Sequence, residues 1–156
     1  MKVYIAADHA GFALKEVLKG RLMEAGYEIE DCGAATLDET DDYPDFVSVC
    51  AHKVAADQGA KGVVIGASGQ GEAMAANRVP GARAAVYYGD AARSQTDAAG
   101  TSLSLIQSVR AHNDANILSL GARFITKEEA LAATLLFLST PFSKEERHLR
   151  RVEKLA

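Results

Sequence analysis

Along the chain, short apolar runs alternate with stretches in which apolar positions return every three or four residues. Residues 3–7 are rich in β-favouring side chains and stop at Asp8; Leu14, Val17, Leu18 and Leu22 then recur at helical spacing until Gly26, a residue suited to leaving a helix. Residues 27–32 predict a second strand, an acidic loop follows over 38–45, and Phe46, Cys50 and Val54 share a helical face before Gly59 breaks it. Gly62-Val63-Val64-Ile65 is apolar without alternation, as expected of a strand covered on both faces. A fourth strand is predicted over 82–88, a helix over 103–111 and a fifth strand over 115–120. Thr126 and Glu129 have the spacing of a capping box, opening a helix that presents Leu131, Leu135 and Leu138 and stops near Pro141; a charged helix over 143–155 closes the chain.

Five strands separated by helices imply βαβ units with right-handed crossovers, hence an α/β fold with a parallel sheet between two helical layers. Ligands of such sheets bind beyond the carboxyl ends of the strands. Residues 89–102, dominated by Ala, Gly, Ser and Thr, fit a loop, a frayed helix or a lid. A length of 156 residues is enough for one domain, 1–156, with a core of its own. The net charge of −4 argues against a nucleic-acid or anionic-membrane partner. The longest late apolar stretch, 130–138, is far short of the ~20 residues of a membrane span, and the amino terminus lacks a signal-peptide core. With Cys32 and Cys50 expected to be reduced thiols, a cytoplasmic location is the simplest expectation.

The segment richest in chemistry is Gly66-Ala67-Ser68-Gly69-Gln70-Gly71-Glu72, directly after the third strand. It reads either as a structural turn or as a cradle whose backbone N–H groups hold a phosphate or a developing oxyanion. It lacks the Lys-Ser/Thr of a P-loop and the spacing of a dinucleotide fingerprint. Glu72 is either a favourable acid at a helix start or a general base over a bound substrate. Asp8-His9 ends the first strand, and His112-Asn113-Asp114 precedes the fifth; each reads as a polar turn or as part of a site. Their expected convergence with the 66–72 loop at one end of the sheet favours the site. Arg147, His148 and Arg151 lie close together on one helix, as a solvated face paired with Glu145, Glu146 and Glu153 or as a phosphate clamp. The four His and two Cys have no metal-ligand spacing, so no metal is expected, and none of these motifs calls for another cofactor, so none is expected.

Asp8-His9-Ala10-Gly11-Phe12, Asp42-Tyr43-Pro44-Asp45, the run from Gly66 through Ala75-Ala76-Asn77-Arg78, Ala82-Arg83-Ala84-Ala85, His112-Asn113-Asp114-Ala115-Asn116, Gly121-Ala122-Arg123 and Arg147-His148 together resemble the type B ribose-5-phosphate isomerase and galactose-6-phosphate isomerase family. The motifs stand in family order over nearly the whole chain. The resemblance implies a three-layer Rossmann-like sandwich around a five-stranded parallel sheet, assembled as a homodimer or homotetramer with shared active sites. It also implies metal-free isomerisation of a phosphosugar through a cis-enediolate. By the same resemblance, His112 opens the sugar ring with help from Asp8. Ser68 and the backbone of Ala67, Gly69, Gln70 and Gly71 hold the enediolate oxygen. His9, Arg147 and Arg151 bind phosphate, Arg123 reaches the neighbouring subunit's phosphate, and Tyr43 and Asn113 line the sugar site.

Many members of that family carry a cysteine base where this chain has Gly66. A subgroup without it has Ser-Gly-x-Gly-Glu and uses the glutamate, which Ser68-Gly69-Gln70-Gly71-Glu72 matches. Glu72 is therefore the expected base, and ribose 5-phosphate the expected substrate. A six-carbon sugar phosphate and a non-catalytic sugar-phosphate-binding module are the alternatives. The segment between the fourth strand and His112 is longer than the family pattern, as a lid or binding loop is.

Overall fold

The computed structural model describes residues 1–155, so the last position of the expected domain lies outside it. In chain order the elements are β1 (Lys2–Ala7), α1 (Phe12–Glu24), β2 (Glu28–Asp31), α2 (Tyr43–Ala56), β3 (Lys61–Gly66), α3 (Gln70–Ala76), β4 (Ala84–Tyr87), β5 (Gln95–Thr96), β6 (Ser102–Leu103), α4 (Leu105–Asn113), β7 (Ile117–Gly121), α5 (Lys127–Ser139) and α6 (Glu146–Glu153). Five strands form one parallel sheet in the order β2-β1-β3-β7-β4, flanked by helices as expected; β5 and β6 form a separate antiparallel hairpin.

The continuous apolar runs of the central strands are explained by the two cores. Val3, Ile5, Val63, Ile65, Leu118 and Leu120 point into a cluster with Leu14, Leu18 and Leu22 of α1, Ile106 of α4 and Phe137 of α5. Tyr4, Ala6, Val64 and Ile117 face the opposite side, against Val47, Cys50 and Val54 of α2 and Ala76 of α3. With side chains alternating across the sheet, a strand buried on both faces is apolar at nearly every position, Ser119 of β7 being buried with its hydroxyl hydrogen-bonded. Edge strand β2, by contrast, is half exposed.

Thr126 caps α5 with the reciprocal Thr126–Glu129 box its spacing predicts, and Ser104 with Gln107 does the same for α4. Two elements differ from expectation. The acidic loop ends early because Asp42 is the N-cap of α2 and Pro44 occupies its first turn, so Tyr43 is helical. Residues 89–102 are neither a plain loop nor a frayed helix; they lead into the β5–β6 hairpin, whose Gln95 Oε1 accepts a hydrogen bond from Ser108 of α4.

One buried charge braces the sheet edge. Lys15 is fully buried, and its Nζ donates to both carboxylate oxygens of Asp31 at 2.9 Å and to the Ala34 carbonyl. Among the described residues, no helix is long and apolar enough to cross a membrane.

Candidate active site

The chain leaves β1 to form β2 on one side and returns to form β3 on the other, so the carboxyl ends of β1 and β3 flank the point where strand order reverses. In open parallel sheets that is where ligands bind. Asp8 follows β1, and the 66–72 loop follows β3, so the topology brings both to this crevice.

Asp8 is buried, and its Oδ1 accepts hydrogen bonds from the amides of Ala10 and Gly11 at 3.0 and 3.2 Å. Glu72, at 4% exposure, is buried in the first turn of α3. Its carboxylate fills the space directly over Gly66: a Cβ at position 66 would collide with Oε1 and the carboxyl carbon. Burial, and next the charge of Asp8, push its pKa above the usual carboxylate value, while the Glu72 and Gly69 amides pull the other way. A raised pKa makes the carboxylate a stronger base than one in water.

The loop that leads to Glu72 is held from behind. Ala122 and Arg123 donate their amides to the carbonyls of Gly66 and Ala67 at 2.8 and 3.0 Å, and the Ser119 hydroxyl donates to the Gly69 carbonyl. Among the described residues, the amides of Ala67, Ser68 and Gly71 have no protein acceptor. These donors can receive an oxyanion. Ser68 is half-buried, Gln70 is exposed, and the Tyr43 ring packs so close to Gly71 that a Cβ there would lie 2.8 Å from its hydroxyl.

His9 stands beside Asp8 with its ring Nδ1 2.7 Å from Asp41 Oδ1. The hydrogen bond to Asp41 is the main cause that raises its pKa, burial opposes it, and Asp8 adds to the rise. Arg123, exposed just after β7, opposes it as a nearby cation. Asp8, His9 and Asp41 each bring a donor atom within 4.8 Å of the others. Within this trio His9 Nδ1 and Asp41 Oδ1 face one another, while Asp8 Oδ1 accepts from the backbone amides of Ala10 and Gly11.

His112, Asn113, Arg147 and Arg151 lie elsewhere. Helix α4 runs antiparallel to the strands and delivers His112 and Asn113 to the edge where β7 begins. From there to the 66–72 loop is the length of β7, five residues, or roughly 13 Å. The expected convergence with Asp8 and Glu72 is thus not met within one chain, because a residue that precedes a parallel strand stands at its amino end. The His112 ring lies 4.3 Å from that of His148, and together with Asn113, Arg147 and Arg151 they line a cavity of about 310 Å³ walled by the β5–β6 hairpin.

His148 is buried, which together with the neighbouring His112 depresses its pKa; its Nδ1 lies 2.9 Å from Ser143 Oγ. Arg147 Nε is 2.9 Å from Glu145 Oε2, an ion pair by distance without the alignment of a hydrogen bond, and Arg151 is exposed. Arg123 accompanies His9 on the Glu72 edge, opposite Arg147 and Arg151. The residue that the sequence did not single out is Asp41; its only signal was membership of the acidic 38–45 loop.

A sequence profile described as Ribose/Galactose Isomerase matches residues 3–155. The chain belongs to the ribose/galactose isomerase family. Its class, an aldose–ketose isomerase, goes with that membership. Family members similar to this chain include a ribose-5-phosphate isomerase B of Mycobacterium tuberculosis, 42% identical over all of this chain and 88% of its own length. Among solved family structures, ribose-5-phosphate isomerase B from Mycoplasma genitalium with bound ribulose-5-phosphate superposes with a TM-score of 0.84 at 33% identity, covering 99% of this chain and 93% of that one. Type B ribose 5-phosphate isomerase from Trypanosoma cruzi superposes with a TM-score of 0.83 at 40% identity, covering 99% and 93%. These matches agree with the five-stranded parallel sheet between helical layers.

Proposed function

We propose that this chain interconverts ribose 5-phosphate and ribulose 5-phosphate through a cis-enediolate, with Glu72 as the general base. The observation that carries the reading is the position of the Glu72 carboxylate, buried over Gly66 at the switch point beside Asp8 and the free loop amides. A side chain on residue 66 and the carboxyl group of residue 72 compete for one volume, which is what two alternative bases serving the same carbon require.

The chemistry needs one proton moved from C2 to C1 of the open aldose and one between the oxygens. Glu72 takes the C2 proton, leaving a cis-enediolate, and returns it to C1 on the same face. Meanwhile O1 gains the proton that O2 gives up, with Asp8 next to both groups. The loop amides stabilise the negative oxygen, an effect of about 3–4 kcal/mol per donor in enzymes where it has been measured.

The second half of the site comes from another copy of the chain. Ring opening by His112, lining of the sugar by Asn113 and phosphate binding by Arg147 and Arg151 all belong to the edge opposite Glu72, so a complete site forms where the two edges of different subunits meet. The partner's His112 then faces Glu72, and His9 with Arg123 faces the partner's Arg147 and Arg151 across the phosphate. Met74, Tyr88 and Phe124, all more than half exposed, supply apolar surface for such a contact.

The test is Glu72→Gln assayed on a panel of five- and six-carbon sugar phosphates. Turnover of ribose 5-phosphate should drop by about 10²–10⁴ while its binding persists, and the wild type should exchange the C2 proton with solvent. Near-normal turnover by the variant removes Glu72 as base. Preference for a six-carbon phosphate replaces the substrate. Ligand binding without any solvent exchange leaves a binding module.

A further inference from the structure

We propose that Asp41, which the reaction above does not use, is the positioning residue that presents His9 to the substrate phosphate; the assignment rests on His9 being a phosphate ligand. Asp41 grips His9 at two points. Its Oδ1 accepts from the His9 backbone amide at 2.9 Å and faces the ring Nδ1 at 2.7 Å, so one oxygen fixes both the main chain and the ring. The Asp41 side chain is only 8% exposed, against 33% for His9, which puts the gripped nitrogen on the inner side and leaves Nε2 for a ligand. Asp8 is sequentially closer but acts on the ring only by its charge, while its Oδ1 accepts from the amides of Ala10 and Gly11.

The consequence for a phosphate follows from the donor inventory of histidine. A proton on Nδ1 shared with a carboxylate favours the imidazolium form, and an imidazolium also carries N–H on Nε2, which donates to a phosphate oxygen as a charge-assisted bond. A neutral ring gripped in the same way would turn a bare lone pair toward the anion. The second oxygen of Asp41, Oδ2, is buried without a hydrogen-bond partner among the described residues, so no other donor neutralises the charge that His9 faces. The charged groups around the ring are Asp41, Asp8 and Asp38 on the acidic side and Arg123 on the basic side, and the balance lifts the His9 pKa. Phosphate affinity is therefore held as pH rises past the ordinary imidazole value, and is lost when pH passes the raised one.

The experiment compares wild type, Asp41→Asn, His9→Gln and the double variant in two measurements: NMR titration of the His9 ring, and ribose 5-phosphate kinetics with inorganic phosphate as competitor, each across pH. Asp41→Asn keeps the shape and removes the charge. Its His9 should titrate at lower pH. Between the two ring pKa values, where only the wild-type ring is charged, its KM and phosphate inhibition constant should rise about tenfold with kcat within about twofold, the gap closing at more acidic pH, where both rings are charged, and at more alkaline pH, where neither is. In the His9→Gln background Asp41→Asn should add nothing further. An Asp41→Asn protein with unaltered His9 titration, or with a loss equal at every pH, overturns the positioning role. Should Asp41→Asn fold poorly, Asp41→Glu restores the charge and must restore the titration. A His9→Gln protein that binds phosphate as wild type does removes the parent reading of His9 instead, whatever Asp41 does.

Discussion

At the scale of single residues, Gly66 and Glu72 act as one unit. Because a Cβ at 66 would overlap the Glu72 carboxyl group, Gly66→Ala must turn that carboxylate out of its place. The alanine variant should lose most of the turnover that Glu72→Gln loses, about 10²-fold or more in kcat, although no reacting group has been removed; substrate kinetics of the purified variant check this. The burial that raises the Glu72 pKa also fixes two pH responses. As the proposed base, Glu72 would work only when ionised, so kcat/KM should fall as pH drops through a value above that of a free glutamate, and Glu72→Gln should abolish that acid limb. For stability the sign is opposite to the usual surface carboxylate: the folded state prefers the protonated form, so stability declines as pH rises from the unfolded to the folded pKa. Glu72→Gln should therefore melt higher than wild type at neutral pH, a gain in stability at the expense of activity that a thermal melt detects. The pair was legible in the sequence because Ser-Gly-x-Gly-Glu and the missing cysteine lie in one short run. Asp41 was not, since its importance comes from a contact across 32 positions that no local spacing records.

At the scale of elements, the strands were legible because burial on both faces leaves an uninterrupted apolar signature, and α5 because its capping box is written in four adjacent positions. The hairpin over 95–103 was not legible: its two-residue strands carry Gln, Thr and Ser, with none of the apolar alternation that marks a strand. The edge of His112 and Asn113 was hidden for another reason: α4 runs antiparallel to the strands, so a residue at its carboxyl end lies beside the amino end of β7. What pins the carboxyl end of α4 is Arg110, with its side chain nearly buried. Its Nε donates to the Thr140 carbonyl at 3.1 Å, and Nη1 to Asp114 Oδ1 and to the Ala115 carbonyl at 2.9 and 2.6 Å. Arg110→Met keeps the packing against Phe137 but leaves these acceptors unpaired, a loss of about 3 kcal/mol of folding stability. Thr126→Ala removes only one cap, for about 1 kcal/mol or ~2–4 °C in Tm. Denaturant titration should rank the two in that order. If Arg147 and Arg151 bind phosphate as proposed, a separate phosphate titration should find the Arg110 variant weakened as α4 frays beside Arg147, with the Thr126 variant unaffected.

At the scale of the whole molecule, the placement of Glu72 and His112, the proposed base and the proposed ring opener, on opposite edges of one sheet decides what kind of assembly can work. A parallel sheet sends every strand-end loop to one edge and every helix end that precedes a strand to the other, so groups such as Glu72 and His112 stay apart however the intervening loops are arranged. A second copy related by a two-fold axis would join the edges twice over, since each subunit would offer the surface the other lacks. This predicts complementation between two crippled chains. Glu72→Gln and His112→Ala should each be nearly inactive alone. In a mixed dimer carrying one of each, one site holds both lesions and the other holds neither. Random exchange of equal amounts makes half the dimers mixed, each with one intact site of two, so activity should return to about one quarter of wild type. A pair of lesions on the same edge, Glu72→Gln with Arg123→Ala, should recover nothing, because every mixed dimer then has one lesion in each site. Co-expression of differently tagged chains measures both, and the mixed species of the opposite-edge pair, purified away from its parents, should reach about one half of wild type. Recovery by the opposite-edge pair with none from the same-edge pair is the pattern of a shared site; equal failure of both would place the whole reaction within one chain, and α4 would then have to move its carboxyl end across the length of the sheet to bring His112 to Glu72.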